Sequence, residues 1–89
     1  MSNSIFCNQI NQREICISFI SNDKKIYNFT CDTYNLCEEL PTAIVNCSEN
    51  VRKFLLNNFS INDLVVDIDD RRNITSKRIL ISFFTGLLQ

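Results

Sequence analysis

Near the end of this 89-residue chain, Leu80, Phe83, Phe84, Leu87 and Leu88 recur at i, i+3, i+4, i+7 and i+8. That spacing lines one side of a 3.6-residue helix with five large apolar side chains, and the rest of the chain must supply a surface to cover them. At this length there is room for one domain with a single modest core, burying roughly 60–65% of the unfolded surface. With 45% apolar residues, one Gly and one Pro, the sequence is too hydrophobic and too poor in breakers to stay disordered.

The covering surface is sought upstream. Glu14 to Ile20 is rich in β-branched and aromatic residues, with Ile15, Ile17 and Phe19 on one side, which predicts a strand. Ser21-Asn22-Asp23-Lys24 carries turn residues. Beyond it Tyr27, Phe29 and Cys31 alternate against Ile26, Asn28 and Thr30, completing a β-hairpin. Residues 1–12 show no period and are expected to form a loose N-terminal arm, leaving 13–89 as the domain. Leu36 to Leu40 has room for one helical turn before Pro41, which disfavours helix at Leu40.

Asn46 stands three residues before Glu49 and predicts a helix over about Cys47 to Asn58, with Val51, Phe54, Leu55 and Phe59 at helical spacing. The largely apolar run Leu64-Val65-Val66-Asp67-Ile68 predicts a central strand, and Asp69 to Asn73 a solvated turn. Asn73, Thr75 or Ser76 then caps the terminal helix, although Ile74, Ile79 and Ile81 also suit a strand. The expected fold is α+β, a small, mostly antiparallel sheet with two helices packed on one face.

Chemistry is sparse in these residues. There is no His, and the single glycine rules out the glycine-rich phosphate loops and the nucleophile elbow, so no enzyme is expected. Five cysteines at positions 7, 16, 31, 37 and 47 form no CxxC pair, and neither a metal nor a cofactor is expected. Cys47, near a helix start, is the one candidate nucleophile, set against the commoner reading of small buried thiols. The N-terminus lacks a signal-peptide pattern and no apolar run is long enough for a membrane span, which points to a cytoplasmic chain in a reducing compartment.

The cations arrive as adjacent pairs: Lys24-Lys25 in the hairpin turn, Arg52-Lys53 on the predicted helix, Arg71-Arg72 and Lys77-Arg78 around the last turn. Four of the nine fall between Arg71 and Arg78. Pairs at turns and helix starts can grip phosphates. The net charge of −1 and a sequence pI near 5.2 remove any whole-domain basic field, so a nucleic-acid contact would be local.

Four segments in order, Phe29-Thr30-Cys31-Asp32, Phe54-Leu55, Val65-Val66-Asp67-Ile68 and Ser76-Lys77-Arg78-Ile79-Leu80, resemble the eukaryotic large-subunit ribosomal protein twenty-two family over roughly residues 25–88. The resemblance implies a trimmed, divergent structural constituent of the ribosome whose partners are ribosomal RNA and neighbouring ribosomal proteins, with no small-molecule substrate. Lys77 and Arg78 would carry the family's RNA contacts. Arg71 and Arg72 would join them from the preceding turn, with Lys24 and Lys25 as further candidates. Against this stands a small cytoplasmic protein-interaction module, for instance a viral or parasite effector, that uses the edge of the Glu14–Ile20 strand or an apolar surface.

Overall fold

Ile15, Ile17 and Phe19 are fully buried, and they fix the inward side of β2 (Glu14–Ser21). The structure, a computed structural model, describes residues 2–88, with the side chains of Asp70 and Arg72 outside the described residues. Asn22 and Asp23 both take positive φ, 53° and 66°, in the two-residue turn that leads into β3 (Lys24–Asp32). Asn and Asp tolerate that conformation, and it matches the twist of the paired strands. Tyr27, Phe29 and Cys31 turn inward as their alternation predicts.

The stretch expected to be a loose arm is a strand. β1 (Asn3–Gln9) pairs antiparallel with β2, from Asn3 opposite Ser21 to Gln9 opposite Ile15, and its Ile5 and Cys7 are fully buried. Phe6 between them masks the two-residue period, because it too is apolar but lies on the other side of the strand. The core therefore begins inside residues 1–12.

After β3 a short 3₁₀ turn (Thr33–Asn35) runs into α1 (Leu36–Asn46), which continues through Pro41. Leu36, Leu40 and Ile44, one turn apart on a single side, are all buried, and that packing outweighs the roughly 3 kcal/mol an interior proline costs. The next helix, α2 (Glu49–Asn58), starts later than expected. Ser48 is its cap, accepting from the Val51 N–H at 3.2 Å, while Asn46 ends α1.

A second 3₁₀ turn (Ile61–Asp63) precedes β4 (Leu64–Asp67), which pairs parallel to β1 from Ile5 opposite Leu64 to Asn8 opposite Asp67. The sheet order is β3-β2-β1-β4. The strand expected at the centre is thus an edge, with Val65 47% exposed, and the Glu14–Ile20 strand expected to offer an edge is interior.

The last helix, α3 (Asp70–Leu87), absorbs the expected turn. Asp69 accepts from the Arg71 N–H at 3.0 Å and caps it, and Asn73 breaks the helical path with φ −147° and ψ 47°. Leu80 and Phe84 are fully buried, and Phe83, Leu87 and Leu88 pack against the core. Phe19 sits at the centre, its ring 5.4 Å from Phe59, 6.0 Å from Phe84 and 6.4 Å from Tyr27. The fold is α+β: three helices rather than two cover one face of a four-stranded mixed sheet in which two of the three strand pairs are antiparallel.

Candidate functional site

The side chains that seat α1 and α3 on the sheet leave a trough between the two helices. Leu36, Leu40 and Ile44 point down from α1, and Ser76, Leu80 and Phe84 point down from α3. Residues one step round each helix, Cys37 on α1 with Ile79 and Phe83 on α3, then line the walls of a groove of about 400 Å³ together with Leu40, Ser82 and Arg78. Phe83 is braced edge-on against Phe84 at 5.1 Å. Among these lining residues Arg78 alone is charged, and it is exposed at the rim.

The residues expected to contact RNA do not form one patch. Lys24 and Lys25 are exposed at the β2–β3 turn, and Arg71 lies beyond Asp67 at the opposite end of the sheet. Arg71 is exposed in the first turn of α3, before the break at Asn73, and Arg78 is exposed seven residues later, beyond it. Lys77 is half-buried and holds an interaction of its own. The side chain of Arg72 lies outside the described residues.

Three further cations serve the fold. The Arg52 guanidinium donates to the carbonyls of Ile44, Val45 and Cys47 at 3.1, 2.7 and 3.2 Å, tying α2 to the end of α1. Arg13 pairs with Asp32 at 2.9 Å and stands 4.7 Å from the centre of the Tyr34 ring. The Tyr34 N–H bond to Asp32 Oδ1, followed by the contact with Arg13, holds the Asp32 carboxyl below the usual carboxylate range. Lys53 pairs with Glu49 at 3.3 Å. Sequence reasoning grouped Arg52 with the phosphate candidates. A cation just past the end of a helix, able to reach its last carbonyls, was the signal for its real place.

A wider polar crevice of about 910 Å³ opens where β1 and β4 end, bounded by Gln9, Tyr34, Asp67, Asp69, Asn73 and Ser76. Its loop is held by its own bonds, with Asn11 Oδ1 accepting from the Arg13 and Glu14 N–H groups at 2.8 and 3.0 Å. Cys47, the candidate nucleophile, is buried and donates its thiol to the Ile44 carbonyl at 3.0 Å. Burial, then the neighbouring Cys16 and Cys31, pushes the Cys7 thiol up to about 12. Burial and the Glu39 carboxylate do the same to Cys31, also to about 12. Such thiols stay protonated and are poor nucleophiles.

Among the described residues no three His, Cys, Asp or Glu side chains gather into a metal-binding group, and no helix is long and apolar enough to cross a membrane. No family model, curated protein or solved structure matches the chain.

Proposed function

We propose that this chain is a docking module that receives an amphipathic, acid-bearing helix of a partner protein in the groove between α1 and α3. The observation that carries this reading is the groove itself, with Cys37, Ile79 and Phe83 presenting apolar surface beside an exposed Arg78. A third helix can lie in the trough of two packed helices at the ordinary 8–10 Å spacing, its apolar anchors filling the floor. A carboxylate on the incoming helix then meets the Arg78 guanidinium at the rim, which selects register and favours acidic partners.

Selection from a displayed library of amphipathic helices tests it. Recovered helices are expected to carry Asp or Glu beside their apolar stripe. Arg78→Glu should weaken them about tenfold, near 1.4 kcal/mol, and Arg71→Glu should leave them unchanged. Binders indifferent to both Arg78→Glu and Ile79→Glu would remove the groove as the site.

Arg71 and Arg78, both exposed on α3 on either side of the break at Asn73, with Lys77 beside Arg78, favour a second reading, the ribosomal one: a protein that docks on ribosomal RNA through phosphate contacts. On that reading binding to purified ribosomal RNA falls steeply with salt, and Arg71→Glu weakens it as much as Arg78→Glu. Lys24→Glu would leave it unchanged, since that residue stands at the other end of the sheet. Salt-insensitive binding, or an inert Arg71→Glu, would rule it out.

A further inference from the structure

On the sheet, the face away from the helices mixes polar and apolar side chains, and no described helix packs over it. With Ile15, Ile17 and Phe19 turned toward the helices, the period of two sends Glu14, Cys16, Ser18 and Ile20 the other way. The register adds their neighbours: Ser4, Phe6 and Asn8 on β1, Asn28 and Thr30 on β3, Val65 and Asp67 on β4. The irregularity between Phe19 and Ile20 sets Lys25 opposite Ile20 and brings Ile26 to the same side. Phe6 and Ile20 are half-buried, while Ile26 and Val65 are 36% and 47% exposed.

Charge on this face is segregated. Lys25 stands at the end near the β2–β3 turn, and Glu14, Asp67 and Asp32, the last ion-paired with Arg13, stand at the other end. From the Ile20 row to Glu14 is six residues, about 20 Å of strand. The middle row places Phe6 and Val65 beside the polar Ser18 and Asn28.

We propose that a second copy of this chain docks on this face, sheet against sheet, about a two-fold axis running across the strands. That operation reverses the strand direction between copies. It sets Lys25 of each copy over the Glu14 end of the other and stacks the Phe6 and Val65 row on its counterpart. A two-fold axis along the strands would instead oppose like charges. The arrangement is isologous, so every favourable contact occurs twice. The face measures about 20 by 20 Å, on the order of 400 Å² per copy from the strand spacing and rise. That is about half of what a stable dimer buries per partner, so association is expected to be weak and concentration-dependent.

Sedimentation velocity over a wide concentration range, with the full chain, tests it. The wild type is expected to shift from monomer toward dimer as concentration rises. Val65→Lys, at an exposed edge position that should still fold, should raise the dissociation constant at least tenfold with unchanged circular dichroism. Lys25→Glu should weaken association several-fold, and adding Glu14→Lys to it should restore most of the loss, a rescue that only facing charges produce. Persistent monomer at millimolar concentration overturns the proposal, as does association that survives Val65→Lys or a double variant no better than Lys25→Glu. Self-association abolished by Arg78→Glu but not by Val65→Lys would move the contact to the α1–α3 groove and overturn it equally. None of these outcomes bears on helix binding in that groove, which lies on the other layer.

Discussion

The thiols of Cys7 and Cys31 tie the stability of this small core to pH. Both are pushed up to about 12 from an ordinary value of 9.0, burial being the first cause for each. Above that ordinary value the unfolded chain releases these protons while the folded chain keeps them. The folded state then binds more protons, and stability falls as pH rises from about 9 toward about 12. The urea midpoint should therefore drop between about pH 8 and about pH 11, and the drop should shrink in a Cys7→Ala, Cys31→Ala double variant. An alkylating reagent followed by mass spectrometry gives the parallel readout, with exposed Cys37 modified in the native state and Cys7 and Cys31 only on unfolding. The expectation of buried thiols holds for Cys7, Cys31 and Cys47, but Cys16 is half-buried and Cys37 is exposed. Which of them stays exposed is not legible in the sequence, because it depends on where α1 begins, and Cys37 lies one step round that helix from the buried Leu36.

Between elements, the joint of α1 and α2 is tied by the Arg52 guanidinium, with the Cys47 thiol also donating to the Ile44 carbonyl. Arg52 satisfies three carbonyls left open where α1 ends, and two N–H arms in a fixed fork do work that a lysine cannot repeat. Arg52→Ala should cost about 1–3 kcal/mol and lower the melting temperature by roughly 4–8 °C per kcal/mol, with Arg52→Lys recovering little of it. Thermal denaturation followed at 222 nm checks this. The sequence marks strands better than helix ends here. Ile15, Ile17 and Phe19 leave little choice, whereas Asn46 and Ser48 are both good caps and only the burial of Leu36, Leu40 and Ile44 decides that α1 runs through Pro41 to Asn46. At α3, Asp69 captures the Arg71 N–H, and a stretch of charges that looks like a solvated turn becomes a helical one. The Arg78 rim was visible as a cation beside an apolar stripe. The groove it borders was not, since its other wall is Cys37, over forty residues away.

At the scale of the whole molecule, β1 holds the fold together while showing almost no pattern in the sequence. It is the only described strand paired on one side to β2 and on the other to β4, and its Ile5 and Cys7 are both 0% exposed. Deleting residues 1–12 should leave the rest of the chain without a cooperative unfolding transition by circular dichroism. Losing two buried side chains and two ladders of hydrogen bonds is comparable to the roughly 4–13 kcal/mol expected for a domain of this size. A cooperative transition in the truncated chain would show that the sheet closes without β1. The pairing of Ile5 with Leu64 also imposes an order on events in time. The β2–β3 hairpin closes through two residues, but β1 and β4 meet only after most of the chain has been drawn into a loop, at a closure cost of roughly 3–4 kcal/mol. Four-residue β4 is therefore expected to be the last strand to arrive and the first to leave, so that substitutions in the β1–β4 pairing change the unfolding rate more than the folding rate.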